Sequence, residues 1–276
     1  GIDEDAYGGD LALVPVAEPL PATPIGGAKP HLVIVVFEST RADVLGKRID
    51  GKPVAPNLAR VAAQGGALAP AYSHVGFTTA SLKSLFAGSL VVPPGSPSLF
   101  RELDASGYEI GVFSGQPEDF GGISAAVGMR EVADRFVDAE VLKDQRAFSF
   151  AAQGSLLVDE NIVLDRFDAA LGDAAAWETP QFVYLNFQTP HFPYHHDAVP
   201  HRFATPPLER GQIAEDNREA LERTYWNAVA HTDAALGRLI AKLETMGVWQ
   251  DTVLIVTGDH GEALFEDGFL GHGHVI

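Results

Sequence analysis

Acidic and imidazole side chains follow three apolar runs of the sequence, at or near the point where each run ends. The runs are residues 32–37, 181–187 and 252–257, and the side chains after them are Glu38, His191, Asp259 and His260. Carboxylate oxygen and neutral imidazole nitrogen suit Zn²⁺ or Mn²⁺ as ligands. An adjacent acid and imidazole at the end of an apolar strand are costly to bury unless they are ligated or paired. The pair Asp259–His260 therefore favours a metal site.

Two hydroxyl side chains, Thr78 and Thr79, lie just before the short apolar stretch of residues 82–87, which is predicted to be helical. One of them could simply be the N-cap, accepting a hydrogen bond from a backbone amide of the helix. Alternatively, a hydroxyl at a helix N-terminus lies in positive potential, and a bound metal lowers its pKa enough to make an alkoxide nucleophile. The same helix end could hold a phosphoryl or sulfuryl group. The residues alone leave both interpretations open.

The elements that must position these residues alternate along the chain. Short β-branched runs such as LVIVVF are typical of strands buried on both faces of a parallel sheet. Helices are predicted over residues 56–64, 79–87, 98–105, 156–171 and 217–246. This alternation predicts an α/β fold with a mainly parallel central sheet and helices on both faces. In such sheets the ligand site forms at the carboxyl ends of the strands.

The composition excludes several classes of function. The chain has 276 residues, with 19 Lys and Arg against 37 Asp and Glu, a formal net charge of -18 and no cysteine. This charge argues against nucleic acid as a partner, because nucleic acid is itself a polyanion. Without cysteine there is no disulfide scaffold, thiolate zinc site or thiol nucleophile. The apolar runs are too short to span a bilayer, so any membrane anchor lies outside this chain.

Five motifs in a fixed order carry a family resemblance. They are FESTRAD (37–43), FTTASLKSLFAG (77–88), TPHFPY (189–194), WNAVAHTDAALGRLIAKLETMG (226–247) and DTVLIVTGDHGEALFEDGFLGHGH (251–274). The set resembles the alkaline phosphatase superfamily, specifically its sulfatase-like branch. That branch includes lipoteichoic acid synthases, phosphoglycerol transferases and phosphoethanolamine transferases. The resemblance implies the same fold, with the C-terminal part missing from this chain.

The resemblance also implies roles for single residues. The metal ligands that it implies are Glu38, Thr78, Asp259 and His260. Thr78 matches the nucleophile better than Thr79, because the family's Ser and Gly, three and ten residues later, fit Ser81 and Gly88 only when counted from Thr78. His191 and His272 resemble histidines that bind the substrate phosphate. His191 would also protonate the leaving alkoxide, making it catalytic with Thr78. The cofactor implied is one divalent ion, Mn²⁺ or Zn²⁺ with Mg²⁺ as an alternative, and His272 could help to hold a second.

The activity implied is a two-step phosphotransfer. Thr78 would attack the phosphodiester of a phospholipid headgroup and expel diacylglycerol. The phosphoglycerol or phosphoethanolamine carried on the threonine would then pass to a glycan or lipid acceptor. Three alternatives stay open: a phosphodiesterase or phosphatase that uses water, a sulfatase, and a catalytically silent lipid-binding relative.

Departures from the sulfatase pattern weigh against sulfate ester hydrolysis. Sulfatases need a Cys or Ser at the nucleophile and an Arg four residues later, where this chain has Thr78 and Leu82. The second acid of their early calcium-binding pair is replaced by Ser39. Phosphoethanolamine transferases that modify lipid A usually carry cysteines, so the phosphoglycerol side fits better.

The remaining expectations concern organisation and location. Residues 1–30, rich in Pro and Gly, predict a linker or tether, and residues 31–276 a catalytic domain. The family implies the extracytoplasmic, periplasmic face of a bacterial inner membrane, with the anchor outside this chain. A long loop is predicted over residues 189–216. The histidines without a counterpart in the family are expected to face solvent, and these are His195, His196, His201 and His274.

Overall fold

A computed structural model of the chain describes residues 27–68, 71–93, 95–148, 157–203 and 206–273. The tether expected over residues 1–30 lies outside the described residues as far as residue 26, and so does His274. The strands, in chain order, are β1 (His31–Phe37), β2 (Arg48–Ile49), β3 (Lys52–Pro53), β4 (Glu109–Ser114), β5 (Arg135–Val137), β6 (Gln181–Phe187), β7 (Thr252–Gly258), β8 (Ala263–Leu264) and β9 (Leu270–Gly271). The α-helices are α1 (Pro56–Gln64), α2 (Thr78–Ala87), α3 (Leu99–Ala105), α4 (Ile123–Val127), α5 (Met129–Val132), α6 (Glu160–Leu171) and α7 (Arg218–Thr245).

The central sheet brings the predicted site residues to one edge. Its strands lie in the order β5-β4-β6-β1-β7, and every neighbouring pair is parallel. Phe37 of β1 pairs with Phe187 of β6 on one side and with Gly258 of β7 on the other. Because these three strands end in register, the residues that follow them emerge side by side.

Helices cover both faces of the sheet, as the alternating pattern predicted. Side chains of β1 alternate between the faces, with Val33 and Val35 in one apolar cluster and Ile34 and Val36 in the other. The first cluster packs against α6 and α7, and the second against α2, α3, α4 and α5. The predicted α/β class with a mainly parallel sheet is confirmed.

Most predicted elements both start and end within one residue of the observed ones, but α6 starts four residues later than predicted. The prediction began it at residue 156, whereas the observed helix begins at Glu160. Asp159 explains the later start, because its side chain accepts a hydrogen bond from the amide of Asn161 and caps the helix. Strand β5 and helices α4 and α5 were not predicted, since each is too short to show a period.

A third apolar cluster orders the segment predicted as a long loop. Tyr194 and Phe203 of this segment pack against Leu221, Tyr225 and other side chains of the first half of α7. Two short 3-10 helices, Arg210–Gln212 and Glu215–Asn217, interrupt the loop before α7 begins. No helix in the described parts of the chain is both long enough and apolar enough to cross a membrane.

Candidate active site

The two predicted acidic ligands lie next to each other, as the strand register requires. Glu38 follows β1 and Asp259 follows β7, and both are fully or nearly fully buried. Between them runs the backbone of Ser39, whose amide donates to Asp259 Oδ1 at 3.0 Å. Ser39 adopts a φ of 52°, in the left-handed region that non-glycine residues seldom occupy. Strained backbone of this kind is common where a site fixes its own geometry.

Thr78 lies at the first turn of α2 and directs its hydroxyl away from the helix. The N-cap position belongs to Phe77, and no side chain caps this helix. Thr78 Oγ1 instead donates to Glu38 Oε1 at 3.1 Å and lies 3.2 Å from His260 Nε2. The interpretation of this threonine as a simple N-cap is therefore wrong. Thr79 is packed against Gly121, where an added Cβ would approach Thr79 Cγ2 to 2.3 Å.

The donor atoms around Thr78 fit a divalent cation. His260 directs Nδ1 at the carbonyl oxygen of Gly261, 2.9 Å away, so that Nε2 presents its lone pair to the site. Nε2 lies 3.4 Å from Glu38 Oε1 and 3.3 Å from Asp259 Oδ2. Asp259 Oδ2 is buried and has no hydrogen-bond partner among the described residues. An orphaned carboxylate oxygen facing a lone-pair nitrogen is what a bound metal would satisfy.

The pKa shifts of Glu38, Asp259 and His260 are also consistent with a cation site. Burial opposes ionisation of Glu38, but hydrogen bonds with His260 and Asp259 outweigh it and lower its pKa below the ordinary value. Burial and the charge of Glu38 raise the pKa of Asp259 well above its ordinary value. Burial alone would lower the pKa of His260, yet its bond to Glu38 and the two carboxylates raise it to about 9. Without a cation the raised pKa values favour protons on Asp259 and His260, and a cation would release them.

The two histidines predicted to bind phosphate lie beside this cluster. The His272 ring lies 4.3 Å from the His260 ring and 5.5 Å from the His191 ring, measured between centroids. Glu38, His260 and His272 each offer one ligand atom within 4.8 Å of the others. Glu262 orients His272, because its Oε2 lies 2.7 Å from Nδ1. The sequence reasoning gave Glu262 no role.

A line of polar side chains that the sequence reasoning missed extends from Glu38 into the sheet. Gln188 donates to Glu38 Oε2 at 3.4 Å and to Asn186 Oδ1 at 2.9 Å. Asn186 in turn donates to Glu118 Oε1 at 3.3 Å. Ser81 donates to the carbonyl oxygen of Asp259, which fastens α2 to the turn after β7. Gln188 and Asn186 have no charge, so nothing in their types marked them, whereas Ser81 was noted only as part of the family pattern.

One of the histidines expected to face solvent is buried. His196 is only 7% exposed and lies among Asp159, Glu160 and His231. The expectation failed because these four residues share no sequence spacing and meet only in the fold. His195 is half-buried and His201 is exposed.

Curated proteins match the sequence of this chain only over short stretches. The multifunctional alkaline phosphatase superfamily protein PehA of Trinickia caryophylli is 38% identical over 64 residues, which is 23% of this chain and 12% of PehA. The chain thus matches only a small part of that protein's length.

Solved structures resemble the chain over most of its length. The lipoteichoic acid synthase LtaP of Listeria monocytogenes superposes with a TM-score of 0.68 at 18% identity, covering 85% of this chain and 57% of LtaP. The periplasmic domain of phosphoethanolamine transferase EptC of Campylobacter jejuni gives 0.68 at 20% identity, covering 90% and 74%. These likenesses show the fold. The family model described as Sulfatase matches residues 30–275, which confirms the predicted branch, and the chain belongs to the Sulfatase family.

Proposed function

We propose that the chain is the catalytic domain of a metal-dependent phosphotransferase. It moves a phosphoglycerol or phosphoethanolamine headgroup from a phospholipid to a glycan or lipid acceptor, through an intermediate on Thr78. The observation that carries this proposal is the position of the Thr78 hydroxyl, 3.1 Å from Glu38 Oε1 and 3.2 Å from His260 Nε2. The Thr78 hydroxyl thus does not cap the helix and instead contacts two candidate metal-ligand side chains.

The residues that would hold the cation are Glu38, Thr78, Asp259 and His260. Mn²⁺ or Zn²⁺ suits these oxygen and nitrogen atoms, with Mg²⁺ as the alternative. The ion would supply Lewis-acid stabilisation of the threonine alkoxide and of charge on the phosphoryl oxygens.

The chain's own residues account for the two transfers. In the first, Thr78 Oγ1, after losing its proton to solvent, bonds to phosphorus as the bond to the diacylglycerol oxygen breaks. His191 in its imidazolium form is the candidate donor of a proton to that leaving oxygen, since its Nδ1 faces the carbonyl of Phe192 at 2.9 Å and the proton on Nε2 is the one left to give. In the second, the acceptor hydroxyl loses its proton to His191 and its oxygen bonds to phosphorus as the bond to Thr78 Oγ1 breaks. Thr78 then takes a proton back from solvent, which restores the free threonine. His272 would hold a phosphoryl oxygen.

Two positions weigh against the sulfatase alternative. Leu82 stands where sulfatases have an arginine, and it is 0% exposed within the apolar cluster beneath α2. It therefore cannot reach a bound anion. Lys83, the next residue, does not replace that arginine, because its ammonium group donates to the carbonyl of Gly121 at 2.6 Å.

The partners and location follow from the same proposal. A phospholipid donor, with a glycan or lipid acceptor, would be met at the extracytoplasmic face of a bacterial inner membrane, through an anchor outside this chain. The LtaP and EptC likenesses support this assignment, because EptC is described as a periplasmic phosphoethanolamine transferase domain.

The test compares two isosteric variants, Thr78→Val and Thr79→Val. Diacylglycerol release is measured from vesicles containing phosphatidylglycerol or phosphatidylethanolamine, after chelation and reloading with Mn²⁺ or Zn²⁺. We expect Thr78→Val to lose at least about 10³-fold in turnover, and Thr79→Val to keep wild-type turnover. Intact-mass analysis of trapped wild-type protein should show a phosphoglycerol or phosphoethanolamine adduct on Thr78.

Other outcomes decide among the alternatives. Turnover of Thr78→Val at the wild-type rate would contradict the proposal. Release of free headgroup in the presence of glycan acceptors would identify a hydrolase. Faster turnover of an aryl sulfate than of an aryl phosphodiester would identify a sulfatase, and no turnover of any ester would leave a silent lipid-binding relative.

A further inference from the structure

A second group of metal-ligand side chains lies away from Thr78, in the buried space between α6, α7 and the loop after β6. Its members are Asp159 and Glu160 at the start of α6, His196 in the loop, and His231 in the middle of α7. Each offers one ligand atom, and these atoms all lie within 4.8 Å of one another. All four residues are buried, with exposures of 8% or less.

Each carboxylate is anchored by one oxygen and turns the other into this cluster. Asp159 Oδ1 accepts from the amide of Asn161 at 2.8 Å, while Oδ2 lies 2.6 Å from His231 Nε2 and 3.5 Å from His196 Nε2. Glu160 Oε1 accepts from Thr232 Oγ1 at 2.7 Å, while Oε2 lies 3.8 Å from His231 Nε2.

Such anchoring by outer contacts is how proteins orient metal ligands. Thr189 adds to it, since its amide donates to Glu160 Oε1 at 2.9 Å and its hydroxyl donates to Oε2. The same hydroxyl lies 3.1 Å from His196 Nε2.

The spacing of the inward atoms matches a tetrahedral ion. Ligand bonds of about 2.1 Å at tetrahedral angles put neighbouring donor atoms about 3.4 Å apart. The distances of His196 Nε2 to Asp159 Oδ2 and of His231 Nε2 to Glu160 Oε2, 3.5 and 3.8 Å, are close to that value. Among the four side chains only the 2.6 Å contact of His231 with Asp159 is a direct hydrogen bond, which a bound ion would replace. The ion would also take the place of the Thr189 hydroxyl at Glu160 Oε2 and His196 Nε2.

We propose that Asp159, Glu160, His196 and His231 form a second divalent-cation site, of the structural Zn²⁺ type. Two imidazoles and two carboxylates fill a four-coordinate shell completely, and a closed shell is typical of structural rather than catalytic zinc. This ion would tie three segments together. It would also hold the loop that carries His191. Thr189, which lies two residues before His191, is hydrogen-bonded to Glu160 of the cluster. The site itself does not rest on the proposed function, but the second zinc equivalent counted in the test is the ion proposed at the Thr78 cluster.

The test is the zinc content of the full chain in four forms. Wild type, Glu38→Gln, His196→Gln and the double variant are stripped with chelator and dialysed against buffered Zn²⁺, and bound zinc is measured by mass spectrometry. We expect two equivalents in wild type, one in each single variant and none in the double variant. His195→Gln is the matched control, because this neighbouring histidine lies outside the cluster, and it should bind two equivalents.

A second readout separates loss of zinc from loss of folding. In the Glu38→Gln background, added Zn²⁺ should raise the melting temperature by several degrees, and the additional His196→Gln change should abolish that rise. Diffraction from zinc-soaked wild-type crystals, recorded at the zinc absorption edge, should give an anomalous peak between the four side chains. Absence of that peak, or zinc binding in His196→Gln equal to wild type, would show that the cluster is only a hydrogen-bonded network.

Discussion

Three histidines at the candidate active site share one arrangement that prepares them for ligands. His260, His191 and His272 each direct Nδ1 at an oxygen, of Gly261, Phe192 and Glu262 respectively. An imidazole that donates from Nδ1 keeps its lone pair on Nε2, which is the atom that can bind a metal or accept a substrate proton. The ring orientations are therefore set by the fold before any ligand arrives, and at His260 a cation would replace the proton that the raised pKa keeps on the ring.

Glu118 is a buried acid near this site, and no cationic side chain of the described residues forms an ion pair with it. Ser114, Gln116, Tyr184 and Asn186 all donate to its Oε1, and its Oε2 has no partner within the described residues. Burial raises the pKa of Glu118 to about 7, against an ordinary value of 4.5, although those hydrogen bonds oppose the rise. In the folded protein this carboxyl thus keeps its proton over a range in which the unfolded chain has lost it.

The raised pKa gives a pH dependence of stability with a definite sign. Between pH 4.5 and about 7 the folded state binds one more proton than the unfolded state at Glu118, so the free energy of unfolding falls as the pH rises. Glu118→Gln removes this contribution, which amounts to about 3 kcal/mol over that range. Urea unfolding of metal-free wild type and variant from pH 5 to 8 measures it. A difference between the two proteins that stays constant with pH would contradict the assignment.

Only part of the site could be predicted from residue types. Glu38, Asp259 and His260 follow apolar runs directly, and the ends of parallel strands converge, so their meeting could be predicted. Glu262 and Glu118 could not, because their partners lie on other elements. His196 was assigned to solvent because it has no counterpart in the family pattern, and its burial arises from packing against His231 of α7.

At the scale of elements, periodicity predicted long helices well and their exact ends less well. Helix α1 was predicted with its observed ends, Pro56–Gln64, because proline favours a first helical position and glycine follows the last. Helix α6 was placed too early, since the apolar residues before Asp159 continue its pattern. The helix begins where Asp159 caps it, and the periodicity of apolar residues does not predict a cap.

Helix α1 takes its N-terminal cap from another helix. Its own N-cap residue, Ala55, has no side chain that can accept a hydrogen bond. Asp233 of α7 accepts instead, from the amides of Asn57 at 3.0 Å and Leu58 at 2.8 Å. The two helices cross closely at Gly237, where an added Cβ would lie 2.7 Å from Asn57 Nδ2.

Removing this borrowed cap should weaken the docking of α1 on α7. We expect Asp233→Ala to lower the free energy of unfolding by about 1–3 kcal/mol, because two partly buried amides lose their acceptor. The control is Asp165→Ala on α6, which removes an exposed carboxylate paired with Arg238 and should cost less than about 1 kcal/mol. Urea unfolding measures both, and equal effects of the two changes would show that Asp233 does not act as a cap.

At the scale of the whole molecule, the net negative charge of the chain is unfavourable for binding a phosphate-bearing substrate. The chain carries a net charge of -18, yet the proposed donor is a phospholipid with an anionic or zwitterionic headgroup. Local cations, at the Thr78 cluster above all, would have to supply the positive charge that a phosphate needs. Over longer distances the protein and an anionic membrane surface repel each other.

This repulsion predicts an unusual effect of salt, which rests on the proposed function. The rate of diacylglycerol release from vesicles rich in phosphatidylglycerol should rise several-fold between about 10 mM and about 150 mM NaCl. Over that range, screening by salt shortens the reach of the repulsion from about 30 Å to about 8 Å. Vesicles of phosphatidylethanolamine diluted in neutral phosphatidylcholine, and a small soluble phosphodiester, should show little change, since neither presents a charged surface. Initial rates of diacylglycerol or chromophore release measure these effects. Turnover of the anionic vesicles that falls as salt rises would instead show attraction by a basic surface, and would mean that net charge does not govern the approach to the membrane.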